Sequence, residues 1–274
     1  TVKNDDGGIL EINGGTYTNT TQAAILNWNA ATITNGTFEC SAANCVLNGA
    51  SSAAPSANNQ GILTITGGSF TSSGTPIANH FTTSEYIEVS GGTFSEAIPE
   101  EFCPEGNKPV LDDNGNYVIG IDESTAVAEA NGKGYTSLQA AIDAISGTGE
   151  VKLLSDTTED IIISSGDITL NLNGCTLTNA SGDTISVKIG ATLTVTGDGT
   201  VDNKSNGKAA IFNEGTVILN GGTYDRTSET GSSADVSGGN SWYTICNHGT
   251  MTINEGVTVK NTGSFSSMIE NGYY

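Results

Sequence analysis

The side chains able to do acid–base, nucleophilic or metal chemistry in this 274-residue chain are eight lysines, one arginine (Arg226), two histidines (His80 and His248), five cysteines and 30 carboxylates scattered across loops. Glycoside cleavage needs two carboxyls at a defined separation on rigid elements, whereas Asp5-Asp6 lies in a turn before Gly7-Gly8. Asp112-Asp113-Asn114-Gly115 has acidic residues but lacks the later bidentate glutamate of a calcium loop, so it reads as turn chemistry. His248 sits in Asn247-His248-Gly249, and one repeat earlier the same place is Asn213-Glu214-Gly215, which makes it a variable turn residue. Cys40, Cys45, Cys103, Cys175 and Cys246 form no CxxC or Cys/His pattern. Their odd number leaves at least one unpaired in a monomer. Cys40 and Cys45 flank a short loop and can pair in an oxidising compartment, while Cys175 and Cys246 fall within strand phrases as small hydrophobes. No catalytic residue, metal site or cofactor is expected.

Binding chemistry has a better candidate. The stretch RTSETGSSADVSGGNSWYT is Ser/Gly-rich and ends in Trp242-Tyr243, with Arg226 at its start. Aromatics beside an arginine make protein hot spots and sugar-stacking platforms. Trp28, after Asn27, is the only other tryptophan. Arg226, Trp242, Tyr243 and Trp28 are therefore the candidate ligand-binding residues, against the plainer reading that aromatics beside a strand cover the core.

These residues are set on a repeat. The phrases LEINGGTY (from Leu10), ATITNGTF (Ala31), LTITGGSF (Leu63) and IEVSGGTF (Ile87) start 21, 32 and 24 residues apart. After a break come LNLNGCTL (Leu170), LTVTGDGTV (Leu193), VILNGGTY (Val217) and MTINEGVTV (Met251), at spacings of 23, 24 and 34. A period of this size with one supersecondary unit per repeat marks a solenoid. A second phrase, apolar-x-Asn, precedes the repeats at Asn4, Asn27, Asn48, Asn79, Asn213, Asn247 and Asn271. Short alternating Ile/Val/Thr/Leu runs punctuated by Asn and Gly predict strands, two per coil. Asn tolerates left-handed backbone, and stacked amides can form a ladder at the turn. No ligand is assigned to them. The two long spacings mark insertions, around Cys40–Gln60 and Thr227–Asn240, of the kind that gather on a functional face.

The net charge of −21 argues against nucleic acid or an anionic membrane as partner. No apolar run approaches the length of a membrane span. Without an initiator Met or signal peptide, the chain reads as a mature product or an excised piece.

The repeat breaks in the middle. Pro99, Pro104 and Pro109 mark a linker, KPVLDDNGNYVIG reads as a β-hairpin, and Thr136-Ser137-Leu138-Gln139 reads as a capping box. Leu138, Ala141, Ile142 and Ile145 have helical spacing, with Gly147 to end the helix. An amphipathic helix there caps the apolar end of a fresh stack beginning at VKLL (151–154), IIIS (161–164) and ITLNLNG (168–174). The expected domains are residues 1–98 (coils), 99–120 (linker and hairpin) and 121–274 (helix-capped coils). Neither end of the sequence carries a cap signal. The expectation is either a piece of a longer tandem repeat or a chain whose copies stack head-to-tail.

The GTFS/GGTY phrases, YTSLQAAIDAI and VKLLSDTTEDIIISSGDITLNLNGCTLTN resemble right-handed parallel β-helix repeats of the pectate-lyase-like superfamily. More narrowly, they are similar to repeats in large surface proteins of Gram-positive gut bacteria, and GGTFSEAIPEEFCPEGNKPVLDDNGNYVI is similar to the closing segment of such units. The resemblance implies an all-β fold: a right-handed parallel β-helix (solenoid) in two stretches, joined by a hairpin-containing linker and one short capping α-helix. It also implies an extracellular, cell-surface or secreted bacterial protein. The leading functional expectation is a non-enzymatic, adhesin-like module that binds a host glycan or host protein, immunoglobulin included. The alternatives are a structural stalk or self-assembling filament subunit, and a polysaccharide lyase or hydrolase. The calcium-binding acidic face with a basic residue, or the aspartate cluster with histidine, that marks the enzymes of that fold is not evident in this sequence.

Overall fold

The computed structural model describes residues 1–5, 7–41, 44–49, 61–80, 86–228, 242–263 and 267–272. Almost all regular structure is short parallel strand, arranged as an all-β solenoid in two compact units, Thr1–Ile121 and Asp122–Tyr274.

In the first unit, Val2–Asn4, Ile25–Asn27, Val46–Asn48 and Ile77–Asn79 form one parallel sheet. In the other sheet, Ala30–Cys40 pairs along its length with Ile9–Asn19. On its far side its two halves pair separately with Ile62–Ile65 and Ser69–Ser72. Ile87–Val89 and Thr93–Phe94 extend those two columns. A coil therefore has three strand segments, not two, because the Gly-Thr-Phe phrase is a strand as well as the end of a turn.

The reason lies in the glycine. Gly68 has φ +106°, and a Cβ there would lie 3.2 Å from both Gly36 O and the Phe70 ring. Only glycine bends the chain there while leaving room for the ring two residues on. Those rings stack coil on coil: Tyr17–Phe38, Phe38–Phe70 and Phe70–Phe94 have centroids 5.0, 4.6 and 5.1 Å apart and near-parallel planes. The spacing is set by the interstrand distance of about 4.7–4.9 Å. Ile33, Leu63, Ile65, Val89 and the three phenylalanines are fully buried, each stabilising the fold by roughly 1.5–3 kcal/mol.

The Asn column is a buried amide ladder. Asn4 Nδ2 donates to Asn27 Oδ1 (2.8 Å), and Asn27 Nδ2 donates to Asn48 Oδ1 (2.7 Å). The same amide nitrogens donate to Ala30 O and Ile62 O of the following turn. These asparagines occupy strand ends, and among the described residues only Asn131 and Asn173 are non-glycine residues with positive φ. The expected left-handed backbone is thus replaced by an extended one, with the side chain turned inward to the ladder.

Asn107–Leu111 and Tyr117–Ile121 form the expected hairpin. It is no free linker: Tyr117 and Val118 pair antiparallel with Phe94 and Thr93 and cover the edge of the first unit's sheet. Ile98 and Phe102, from the proline-rich stretch, are buried in the first unit's core.

In the second unit three sheets run side by side, of seven, five and five strands, parallel throughout except where Lys133–Tyr135, Ala128–Ala130 and Thr148–Leu153 pair antiparallel at the start of the first. The first includes Thr148–Leu153, Asp167–Asn171, Thr192–Thr196, Thr216–Leu219 and Thr250–Ile253. The second holds Thr157–Thr158, Thr176–Thr178, Thr200–Asp202, Thr223–Asp225 and Thr258–Val259. The third holds Ile161–Ile163, Ile185–Val187, Ile211–Asn213, Ile245–Asn247 and Ile269–Asn271. One expected register is off by two. Ile168, not Leu170, faces Leu193. A two-residue slip keeps every side chain on its face, so the apolar pattern does not distinguish the two alignments.

The helix Leu138–Asp143 buries Leu138, Ala141 and Ile142 on the start of this stack. Its N-cap is Ser137, whose hydroxyl accepts from Ala140 N. The partner that completes the cap is Glu159, which accepts from Leu138 N, Gln139 N and the Ser137 hydroxyl. Gln139, expected to close a capping box, turns to the sheet edge. Its Oε1 accepts from Ile162 N and its Nε2 donates to Ile162 O. One amide side chain thereby satisfies a strand edge as a neighbouring strand would.

Candidate functional site

The site expected at the long insertion is built on the strand Thr223–Asp225 and the residues after it. Asp225 and Asp202 are register partners on successive coils, and both are buried. Asp202 accepts from Thr227 N and Oγ1 at 2.9 and 2.6 Å. One coil on, Asp225 accepts from Thr262 N and Oγ1 at 3.0 and 2.7 Å. Each aspartate thus clamps a threonine on the next coil.

Arg226 stands between these clamps. It is fully buried. Nη2 donates to Ser205 O at 3.0 Å, and Nη1 donates to Trp242 O. Gly263 N donates to Arg226 O. Carbonyls of two coils attract the guanidinium, whose planar fork of donors can span them as lysine cannot. Its work is to tie the foot of the insertion, since Ser228 and Trp242 are the described residues on either side of it. Residues 229–241, the body of that loop, lie outside the described residues, as do 50–60 of the first insertion.

Trp242 and Tyr243 are half-buried, with ring centroids 6.0 Å apart and planes tilted by 56°. They offer an aromatic edge at the loop's foot. Below them, burial pushes the Cys246 thiol up to about 12, with the Glu270 carboxylate adding to the rise. Trp28 belongs to the first unit and is half-buried. Lys3 Nζ lies 3.5 Å over its ring, a cation–π contact of about 0.5–1 kcal/mol at an exposed site.

His248 Nε2 is 3.6 Å from Glu270 Oε2, and its ring meets Phe212 edge-on at 5.2 Å. With Lys188–Glu214 at 3.0 Å, it forms part of a charged margin between coils, consistent with a variable turn residue. Asp112 organises the hairpin turn, accepting from Asn114 N and Asn116 N. Cys175 departs from expectation: it precedes the strand Thr176–Thr178 in a half-exposed turn and donates to Asn173 O. A shallow polar cleft lined by Glu129, Ala130, Asn131, Glu150 and Lys152 also lies on the second unit. Sequence reading missed it because Glu129 and Lys152 meet only through antiparallel pairing. Its Glu150 accepts from Asn171 Nδ2. Among the described residues no group of three or more His, Cys, Asp or Glu is placed to hold a metal ion. None of their helices is long and apolar enough to cross a membrane.

The chain matches no family model, no curated protein and no solved structure.

Proposed function

We propose that this chain is a non-enzymatic structural module of a cell-surface or secreted protein, a spacer whose two units are each a stiff stack of coils. The observation that carries the reading is that its conspicuous polar and aromatic side chains are spent on axial continuity. The Asn amides donate coil to coil, the rings stack in register, and Arg226 ties one coil to the next. Hydrogen-bonded, interdigitated ladders of this kind leave few soft degrees of freedom along the stack. The surface acidity and the likeness of the repeats to bacterial surface proteins support an extracellular setting.

Binding of a host glycan or protein is the second reading. The half-exposed Trp242–Tyr243 pair at the foot of the long loop favours it. One experiment separates the two. The chain is placed between a surface anchor and a reporter domain, and reporter reach is compared with that given by a Gly/Ser linker of equal length. The same protein, with a Trp242→Ala/Tyr243→Ala variant, is used to capture from serum, secretory antibody and mucin. A narrow reach distribution without capture is the expected result. A reach as broad as the linker's overturns the spacer reading, and capture of one defined partner that is lost in the variant replaces it with the adhesin reading. Light scattering on the same samples reads out head-to-tail association of copies.

A further inference from the structure

The strand Ala30–Cys40 ends in Cys40, which pairs in register with Ser72 of the following coil. Cys45 comes back to this place just before the strand Val46–Asn48. Its Sγ lies 3.5 Å from Phe38 O and 3.3 Å from Thr71 O. Phe38 is two residues before Cys40 on the same inward face, and Thr71 immediately precedes Ser72. The Cys45 thiol is therefore set against the end of the strand that carries Cys40. Both thiols are buried in the same apolar cluster.

We infer that Cys40 and Cys45 form a cross-link site, closing to an internal disulfide when the protein meets a low-molecular-weight disulfide such as oxidised glutathione. The Cys40 thiolate attacks glutathione disulfide, forming a mixed disulfide and expelling one glutathione. Cys45 then loses its proton and attacks the Cys40 sulfur, expelling the second. Two protein thiols are oxidised, and one glutathione disulfide is reduced to two glutathiones. The product is neutral and apolar, which suits its surroundings better than a thiolate. Burial holds the Cys45 thiol well above its usual range, and Cys40 beside it adds to the rise as a hydrogen-bond partner and a neighbouring charge. Closure is accordingly slow at neutral pH and quickens as pH rises. The bond would fasten the end of one coil's third strand to the start of the next coil.

The full chain is incubated with glutathione disulfide, denatured, alkylated and cut after glutamate. Glu39 and Glu85 bound a fragment, residues 40–85, that contains Cys40 and Cys45 and no other cysteine. The expected result is this fragment unalkylated and two hydrogens lighter, with the free-thiol count falling from five to three. Recovery of the fragment with both cysteines alkylated, or with a lasting glutathione adduct, overturns the inference. A Cys45→Ala variant, which keeps Cys40, is expected to stop at the adduct. Loss of one further thiol there without an adduct, by pairing of Cys40 elsewhere, also counts against it.

Discussion

The two units place different side chains at the same position of the same coil. After the glycine turn, the first unit puts Tyr17, Phe38, Phe70 and Phe94 in one column, and the rings stack along it. The matching column of the second unit is Leu177, Val201, Tyr224 and Val259. There a single ring stands among aliphatics, and Tyr224 is buried with its hydroxyl bonded to Gly221 O. The amide columns differ too. The first begins with Asn4 and continues Asn to Asn, whereas the second begins apolar, with Ile163 and Val187, and turns to amides only at Asn213. A solenoid coil therefore demands an inward side chain of suitable volume at each corner, and accepts several chemistries provided neighbours match. The closures follow the same rule: a hairpin covers the first unit's sheet edge, while a helix and the Gln139 amide cover the start of the second.

The comparison is broken most forcefully at the columns. Phe38→Ala removes a buried ring stacked on both sides and is expected to cost about 3–5 kcal/mol, with Leu177→Ala nearer 2–3 kcal/mol. Hydrogen exchange resolved by unit in the intact chain checks this. Equal costs would mean that neither the larger volume of the ring nor its stacking adds stability.

The amide ladders give the next effect. Asn27→Val removes two fully buried amide bonds, from Asn4 and to Asn48, and a partly buried one to Ile62 O, at about 1–3 kcal/mol for each buried group that finds no replacement. Asn213→Val follows Val187, so it interrupts one fully buried amide bond, to Asn247, and two partly buried ones, to Thr250 O and from Gly215 N. It is expected to cost less than Asn27→Val under the same exchange measurement. The reverse order would show that the two columns do not act as directional ladders.

The smallest effect lies in the hairpin. Asn116 N–H, foremost, and Asn114 N–H hold the Asp112 carboxyl below its usual value of 3.8. A depressed carboxylate stabilises the folded turn above its unfolded pKa, and that contribution is lost as pH falls through the folded value. Amide exchange at Asn114 and Asn116 is therefore expected to quicken below about pH 3.8, and in an Asp112→Asn variant to lose that pH dependence.

Much of this was legible in the sequence. The seven apolar-x-Asn phrases are all strands, and the first half's repeat starts, Leu10, Ala31, Leu63 and Ile87, are in structural register. The site was less legible. Arginine is normally exposed, so nothing local in the sequence marks Arg226 as buried. Its burial depends on carbonyls supplied by Ser205 and Trp242, residues 21 and 16 positions away. Glu159 as the helix cap escaped for the same reason, since it belongs to a different coil from the residues it satisfies.

Sequence by itself determined the coil: its period, its inward apolar positions and its glycine bends, because strand alternation and backbone freedom are local properties. Tertiary structure decided the third strand of each coil, the two-residue choice of register at Ile168–Leu193, the burial of Arg226 and the turning of Gln139 to the edge of Ile162. Those outcomes depend on which groups face one another across coils some 20–35 residues apart in sequence, where hydrogen-bond satisfaction and close packing, not local propensity, set the free energy.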